Sequence, residues 1–340
     1  MLPAESHDWP DRLTDRRPEV ASGRLVADLV PPPRFADVRF STYVPDPAEP
    51  TQAAALAAGS DFADGLQQPA AKGLFRRRKT PDGPSGLYLD GGFGVGKTHL
   101  LASLWHAAPG PKAYGTFVEL THLVGALGFA GTVEALADHR LLCIDEFELD
   151  DPGDTVLVSS LLEKLVARGV RLAATSNTLP GSLGEGRFAA KDFLREIQGL
   201  SSYFTTIRVD GPDYRHRGLP AAPPPRTDAE VEQAAEGFAG ATLDAWDTLL
   251  DHLASLHPSR YGALLDGVTA VHLTGVGTVT DQDRALRVVV LADRLYDRST
   301  PVTTSGVPLD EVFAPELLAG GYRKKYNRAI SRLVALARGR

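Results

Sequence analysis

The chain has 340 residues, of which 43% are hydrophobic and 23% charged, and it carries a net charge of −7, a composition typical of globular proteins. The acidic balance disfavours broad binding to nucleic acid or acidic lipid, and no apolar run reaches the length of about eighteen residues that a membrane span needs. A single cysteine, Cys143, excludes internal disulfides and multi-cysteine metal sites, and the charged first residues differ from a signal peptide, so we expect a cytoplasmic protein.

The first part of the chain is rich in prolines and charges, and it predicts an extended leader over residues 1–40. Alanine dominates residues 51–63, which predicts a helix. Basic residues cluster at 76–79, where a solvated surface is the simplest interpretation. Prolines and a glycine at 79–85 then mark a break before the first strand of the core.

The most informative motif is a glycine-rich loop that begins at Gly91 and ends at Lys97 and Thr98. It follows a short apolar segment and precedes leucines at helical spacing, so it joins a strand to a helix, as a phosphate-binding loop requires. Glycines let successive backbone N–H groups point into one concavity, while the lysine reaches the phosphates and the Thr98 hydroxyl holds Mg²⁺. The predicted binding residues are Gly91, Gly92, Phe93, Gly94, Val95, Gly96, Lys97, Thr98 and His99.

Short, fully apolar strands alternate with helices after the loop, which is the pattern of a parallel sheet covered on both faces. A helix is predicted over 153–168, with Gly169 as its C-cap. We therefore expect an α/β P-loop NTPase core of three layers at residues 41–211. Its predicted strands after the loop are 113–120, 141–144, 169–176 and 204–209.

Polar side chains follow two of these strands, at the edge where a parallel sheet binds its ligand. Asp145 and Glu146 come directly after an apolar strand, and the chain between them and the loop has room for a strand and two helices. Asp145 is predicted to hold Mg²⁺, and Glu146 to orient or deprotonate the attacking water. Asn177 either senses the γ-phosphate or is an ordinary turn residue. These residues predict the second half of an ATPase site, with ATP and Mg²⁺ as its ligands.

The remainder of the chain has the pattern of a second, smaller domain. A proline-rich stretch at 212–226 indicates a linker, and residues 227–340 are expected to form an α/β, lid-like subdomain. Its predicted elements are helices at 228–257, 281–297 and 322–337 and strands at 268–273 and just before residue 305.

Two features of this second domain leave alternatives open. Arg287 is either a lid arginine that contacts nucleotide or the i,i+4 partner of Asp283 on a helix surface. The last helix is basic through Arg323, Lys324 and Lys325, which can meet an acidic protein, a lipid surface or nucleic acid.

Taken together, the motifs resemble one known family. The resemblance rests on Gly-Gly-x-Gly-x-Gly-Lys-Thr, Leu-Cys-Ile-Asp-Glu-Phe, Ala-Thr-Ser-Asn-Thr-Leu-Pro, Asp213-Tyr214-Arg215 and Leu295-Tyr296-Asp297, found in that order. Over about residues 35–336, the chain is similar to the ZapE cell-division ATPases and their mitochondrial, lactation-elevated-type relatives, a branch of the AAA+ proteins.

The resemblance implies a homo-oligomeric, Mg²⁺-dependent ATPase of AAA+ type that acts on a protein partner. In bacterial members the partner is the tubulin-like division ring, which implies a cytoplasmic protein at the division site; mitochondrial members are tied to membrane-protein quality control. Carried over to this chain, Lys97 and Thr98 match the nucleotide lysine and the magnesium hydroxyl, Asp145 and Glu146 the metal and water carboxylates, and Asn177 the sensor.

One departure concerns the arginine that reaches the γ-phosphate of a neighbouring subunit. Many family members have a Gly-Leu-Gln-Arg segment before Phe-Leu-Pro, and its arginine is the natural candidate for this role. Alignment on Phe193-Leu194 places Ala190 at that position. Arg187 and Arg195 flank it, and either one meets the requirement for a cation that stays charged.

Three other functions fit part of the pattern. A DNA-replication loader or initiator of the AAA+ class would need a nucleic-acid surface, but neither a helix-turn-helix nor a basic groove interleaved with aromatics is evident. A nucleotide-switch scaffold with little turnover follows if no arginine completes the site. A small-molecule kinase would need an acceptor-binding constellation, which is not visible. The basic last helix leaves peripheral contact with a membrane open.

Overall fold

The computed structural model describes residues 10–67, 85–92, 94–149, 152–183, 194–211, 221–236 and 238–339. The chain divides into two compact units. The central unit is Ala21–Arg217, and the terminal unit combines Met1–Val20 with Gly218–Arg340. These units differ from the predicted boundaries, because the expected leader at residues 1–40 is divided between them. The first part of the predicted linker, 212–220, lies outside the described residues.

A five-stranded parallel sheet forms the middle of the central unit. Its strands are β1 (Gly86–Gly91), β2 (Lys112–Thr116), β3 (Leu141–Asp145), β4 (Arg171–Ser176) and β5 (Phe204–Val209). They are arranged in the order β2-β3-β4-β1-β5. The carboxyl ends of β1, β3 and β4 therefore meet at one edge, where the phosphate loop begins.

Helices cover both faces of this sheet. They are α1 (Ser22–Ala27), α2 (Pro50–Gln67), α3 (Lys97–Ala107), α4 (Phe117–Leu136), α5 (Pro152–Ala167) and α6 (Leu194–Ser202). Side chains of β1 alternate between two cores: Leu87 and Leu89 pack with residues of α2 and α3, and Tyr88 packs with residues of α4, α5 and α6. These layers confirm the predicted three-layer P-loop α/β core, and Cys143 is buried in it.

The second strand is shorter than the predicted 113–120. It ends at Thr116 because that residue caps the following helix: Glu119 N donates to Thr116 Oγ1 at 3.2 Å, and Thr116 N donates to Glu119 Oε2 at 2.6 Å. The helix α4 therefore begins at Phe117. The Thr116-x-x-Glu119 spacing is a capping-box signature in the sequence, and the prediction of a strand over 113–120 did not use it.

The predicted leader is held in place at two points. In the central unit, Tyr114 N donates to Leu29 O at 2.8 Å, and Leu29 is buried. In the terminal unit, Asp244 accepts hydrogen bonds from the backbone N–H groups of Leu13 and Thr14, both at 3.0 Å. Leu13 is fully buried in the core of that unit. Contacts made by one or two residues leave no repeating pattern in the sequence, so the sequence does not reveal them.

The terminal unit contains a three-stranded parallel sheet. Its strands, in spatial order, are β6 (Ala241–Ala245), β7 (Ala270–Val276) and β8 (Val302–Gly306). Its helices are α7 (Asp228–Ala235), α8 (Trp246–Ser255), α9 (Tyr261–Leu264), α10 (Gln282–Asp297), α11 (Pro315–Ala319) and α12 (Arg323–Ala337). No helix in the described ranges is long and apolar enough to cross a membrane.

The prediction of one helix over 228–257 is wrong. The structure has two helices there, α7 and α8, with the strand β6 between them. Gly240 precedes the strand with a φ of +80°, a conformation that other residues rarely adopt, and it stops helical continuation. A five-residue strand contributes too few apolar positions to disturb a helical pattern that surrounds it.

Both units share one succession of elements. The central unit has, in chain order, β2, α4, β3, α5 and β4, followed by a 3₁₀ turn at Pro180–Ser182. In the terminal unit β6, α8, β7, α10 and β8 lead into a 3₁₀ turn at Leu309–Glu311, with the short helix α9 added. Among the described residues, only the central unit adds, next to β4, a strand that ends in a glycine-rich loop. The predicted phosphate loop is therefore a feature of the central unit.

Candidate nucleotide site

The phosphate loop joins β1 to α3 in a conformation that requires glycine. A Cβ on Gly91 would lie 2.0 Å from Val209 O, so no side chain fits there. Gly94 and Gly96 have φ of +79° and +87°, in the left-handed region that favours glycine. The helix then begins at once, with Leu100 N donating to Gly96 O at 3.0 Å. Its first N–H groups and its dipole therefore lie at the loop, an arrangement suited to a phosphate.

The ammonium group of Lys97 is held inside the loop. Its Nζ donates to Gly91 O at 2.7 Å, to Gly92 O, and to Asn177 Oδ1 at 2.9 Å. Lys97 is only 9% exposed. The loop backbone and the end of β4 therefore hold one positive charge where the N–H groups of the loop converge.

Asp145, at the end of β3, receives hydrogen bonds from three hydroxyl groups. Thr98 Oγ1 donates to its Oδ1 at 3.2 Å, Tyr114 donates to its Oδ2 at 2.9 Å, and Thr175 also donates to Oδ1. Burial raises the pKa of Asp145, and the nearby Glu146 carboxylate raises it further, while the three hydroxyl groups act in the opposite direction. The network fixes the direction of this carboxylate before any ligand binds.

Glu146 occupies a backbone conformation that is rare for a residue with a side chain. Its φ is +53°, and its N–H donates to Asp145 Oδ1 at 3.2 Å and to Thr175 Oγ1 at 3.1 Å. These hydrogen bonds compensate for the strained conformation. The turn therefore keeps Glu146 next to Asp145 at the edge of the sheet.

Asn177 is hydrogen-bonded through both its backbone and its side chain. Its backbone N–H and the hydroxyl of Ser176 each lie 3.3 Å from Glu148 Oε1, and its side-chain oxygen accepts from Lys97. Glu148 therefore connects the segment after β3 to the segment after β4. Asn177 therefore has a fixed position beside Lys97.

The side chains fit a small divalent cation. A hydroxyl and a carboxylate oxygen, on Thr98 and Asp145, lie 3.2 Å apart beside the phosphate loop. Mg²⁺ in phosphate sites is bound by few protein oxygens together with water and substrate phosphates. No group of three or more histidine, cysteine or acidic side chains that could hold a metal occurs in the described part of the chain. The donor set therefore suits Mg²⁺ shared with a nucleotide better than a closed metal cage.

The structure brings most of the predicted site residues together. The hydrogen bonds described above link Lys97 to Asn177, Thr98 to Asp145, and Glu146 to Asp145. The remaining described loop residues at 91–96 form the backbone around Lys97, and His99 belongs to the first turn of α3.

Four of the predicted residues remain, and two of them lie outside the described residues. Phe93 and Arg187 lie outside the described residues, as do the basic cluster at 76–79 and Ala190. Arg195 is exposed in the first turn of α6. Arg287 donates to Leu253 O and Leu256 O, both at 2.9 Å, so its guanidinium caps the end of α8.

The sequence prediction missed several supporting residues, namely Tyr43, Tyr114, Thr175 and Glu148. Thr175 and Glu148 stand beside predicted site residues, and their polar character at strand ends was a usable signal. Tyr43 and Tyr114 lie in other segments and reach the site only in the folded chain.

Known proteins resemble this chain over shares of its length that differ from one protein to the next. It is 28% identical to the cell division protein ZapE of Escherichia coli K12 over 313 residues, which cover 79% of this chain and 82% of that protein. It is 26% identical to lactation elevated protein 1 homolog B of Danio rerio over 165 residues, covering 42% of this chain and 33% of that protein. The solved structure of AMPPCP-bound DnaA from Aquifex aeolicus matches with a TM-score of 0.38 and 13% identity, covering 51% of this chain and 50% of that one.

The family match spans nearly the whole chain. The model of the family described as AFG1-like ATPase matches residues 20–238 and 223–340. The phosphate loop and the Asp145-Glu146 pair both lie inside the first of these segments. The chain therefore belongs to the AFG1-like ATPase family, and it is an ATPase.

Proposed function

We propose that this ATPase hydrolyses Mg²⁺-bound ATP at the edge formed by β1, β3 and β4 and uses the energy to act on a protein assembly. One observation carries the chemical part. Lys97 and Thr98, adjacent in the loop, are hydrogen-bonded to Asn177 at the end of β4 and to Asp145 at the end of β3. The residues proposed to bind the phosphates, hold the metal and sense the γ-phosphate are therefore connected by these two hydrogen bonds and the adjacent positions of Lys97 and Thr98.

The chain's own residues divide the work as follows. Lys97 offers its positive charge to the β- and γ-phosphates, and the loop N–H groups bind the phosphate oxygens. Thr98 and Asp145 would hold Mg²⁺, which when bound neutralises charge on the phosphates. Glu146 orients the attacking water and accepts its proton. Asn177 links the γ-phosphate position to the end of β4.

We further propose that an arginine from a second copy of the chain completes the site. Arg195 is exposed in the first turn of α6, and only Tyr203 separates this helix from β5. A helix that enters a parallel strand through so short a turn runs antiparallel to it, so its first turn lies toward the edge that carries the phosphate loop. This position supports Arg195 as a contributor to a homo-oligomeric site, with Arg187 as the other candidate.

The proposed target is a protein assembly, the tubulin-like cell-division ring. The support is the similarity to ZapE of Escherichia coli, which is named a cell division protein. The net charge of −7 also favours a protein partner over nucleic acid. On this proposal the ATPase works in the cytoplasm at the division site.

Steady-state hydrolysis measured against protein concentration tests the chemical part. The rate per subunit should rise with concentration if assembly completes the site, and Glu146→Gln should bind ATP without turning it over. Arg195→Ala and Arg187→Ala can then be compared, since loss of the concentration-dependent rate identifies the arginine that acts between subunits. Full turnover by the Glu146→Gln variant would remove Glu146 from its proposed role.

A binding experiment tests the target. The Glu146→Gln variant, loaded with ATP and Mg²⁺, should co-sediment with polymers of the tubulin-like division protein of the same organism, while Lys97→Ala should not. Single-stranded DNA serves as the competing ligand. Binding to DNA that falls steeply with salt, without binding to the polymer, would favour a replication-linked function instead.

A further inference from the structure

A short segment that precedes the phosphate loop by many residues lies directly on it. This segment, called the strap here, comprises Arg39, the 3₁₀ turn Phe40–Thr42, and Tyr43. The Tyr43 hydroxyl donates to Val95 O at 2.9 Å, and Tyr43 is only 9% exposed. Burial raises the pKa of Tyr43, so its hydroxyl remains a donor.

The strap holds the loop on both sides of Lys97 and Thr98. Before them, Tyr43 holds the Val95 carbonyl. After them, His99 Nε2 lies 2.9 Å from Thr42 Oγ1 and 3.2 Å from Arg39 O. The rings of Tyr43 and His99 also meet edge to face, with centroids 5.5 Å apart. The loop is therefore fixed by contacts outside its own glycine pattern.

The direction of the Val95 carbonyl sets the direction of the next N–H group. In a planar trans peptide the C=O and the N–H point to opposite sides. Tyr43 holds Val95 O toward the strap, so the N–H of Gly96 points away from the strap.

Packing of the two residues that form this peptide limits its rotation. A Cβ on Gly96 would lie 2.5 Å from Tyr43 Cε2, so the ring lies directly against the Gly96 backbone. The Val95 side chain packs on the chain at Gly211, where a Cβ would lie 2.9 Å from Val95 Cγ1. Both residues of the peptide are therefore held by neighbouring parts of the chain.

We propose that Tyr43 is a positioning residue for polyphosphate binding, which aims the Gly96 N–H at the phosphates through its hydrogen bond to Val95 O. This inference rests on the proposed function, in which the loop binds the phosphates of ATP. It assigns no contact between Tyr43 and the nucleotide. Within the nucleotide, Tyr43 affects the binding of the polyphosphate chain alone.

Tyr43→Phe keeps the ring against Gly96 and removes only the hydroxyl. Tyr261→Phe is the matched control, because the Tyr261 hydroxyl is also buried and donates to a backbone carbonyl, Leu253 O, at 2.8 Å, in the terminal unit. The dissociation constants of ATP and of inorganic tripolyphosphate are measured for both variants by competition with a fluorescent nucleotide. Thermal unfolding is recorded alongside.

The Tyr43→Phe variant should bind ATP and tripolyphosphate more weakly by the same factor, about three- to tenfold, the usual effect of one hydrogen bond. Its KM for ATP should rise by that factor while kcat stays within about twofold of the wild-type value. Tyr261→Phe should leave both dissociation constants unchanged.

Two results would overturn the inference. Weaker binding of ATP with unchanged binding of tripolyphosphate would mean that Tyr43 contacts the base or ribose. A lower kcat with unchanged KM would place its effect in the chemical step. Failure of the proposed function is recognised separately, because Lys97→Ala would then bind ATP as the wild type does.

Discussion

Lys97 in the phosphate loop donates a hydrogen bond to the side-chain oxygen of Asn177 at the end of β4, with 2.9 Å between the two atoms. The same ammonium group donates to the carbonyl oxygens of Gly91 and Gly92. All three acceptors belong to the loop or to the segment after β4, so the ammonium group lies where the loop would bind a phosphate. Asn177 lies directly beside that group.

The variant Asn177→Asp should weaken ATP binding by roughly tenfold, equivalent to about 1.4 kcal/mol. The new carboxylate would pair with Lys97 and repel the phosphates, whereas Asn177→Ala removes an acceptor without adding charge. The alanine variant should therefore bind ATP within about threefold of the wild type but hydrolyse it more slowly. Equilibrium titration with a fluorescent nucleotide measures the binding. An aspartate variant with wild-type affinity would show that Asn177 does not face the phosphates.

The variant Tyr114→Phe should raise the Mg²⁺ concentration needed for half-maximal hydrolysis by about tenfold or more, as loss of a residue that orients a metal ligand commonly does. The Tyr114 hydroxyl donates to Asp145 Oδ2, and without it the carboxylate is held through Oδ1 alone and is oriented less firmly. Nucleotide binding measured in EDTA should not change. Tyr88→Phe, which loses a hydroxyl bound to Thr178 O, is the control. An equal shift in both variants would indicate a general structural effect.

Much of the site could be predicted because its main residues lie in local patterns. The loop carries its own motif, and Asp145 and Asn177 each follow a short apolar strand. In a parallel sheet the carboxyl ends of neighbouring strands share an edge, so the sequence order of these motifs already implies that they meet. The same reasoning predicted the layers of the central unit.

Residues that support the site from a distance could not be predicted. Tyr43 and Tyr114 reach Val95 and Asp145 only when separate segments of the chain pack together, and nothing in their local sequence marks this. The strand β6 was missed because five residues are too short to break a helical pattern. An arginine acting between subunits depends on an assembly that a single chain does not specify.

An ion pair in which only the carboxylate is buried lies beside the phosphate loop and predicts a stability effect. Asp90 in β1 is 1% exposed, and Arg208 of β5 donates to it at 2.5 Å. Arg208→Gln would leave that carboxylate buried without its cation. Because the Arg208 side chain is 55% exposed, we expect a loss of about 2 kcal/mol of unfolding free energy, less than for a fully buried pair.

Calorimetric unfolding of single and double variants measures this effect. Adding Asp90→Asn to Arg208→Gln should restore part of the stability, because the buried charge is then gone. Arg168→Gln is the control, since Arg168 pairs with Glu134 at an exposed position and its loss should change stability little. Equal losses for Arg208→Gln and Arg168→Gln would mean that Asp90 keeps access to water.

A pH-dependent contribution to stability is expected in the terminal unit. Asp293 on α10 pairs with Arg328 at 3.2 Å and with Arg332, both on α12. Burial raises the pKa of Asp293, but the two arginines outweigh burial and hold it below its usual value. A carboxyl group with a lowered pKa stabilises the fold above its unfolded pKa of about 3.9, and this stabilisation disappears as the pH falls through the folded pKa.

The variant Asp293→Asn should therefore lower the stability of the terminal unit by about 1–3 kcal/mol at pH 7, because it removes charge-assisted hydrogen bonds. The difference from the wild type should shrink as the pH falls below about 4, where the wild-type carboxylate is itself protonated. Urea unfolding at several pH values, followed by the fluorescence of Trp246 in a variant whose other tryptophans are replaced by phenylalanine, measures both effects. A difference that stays constant down to pH 2 would mean that packing between α10 and α12, and not the charge of Asp293, accounts for the loss.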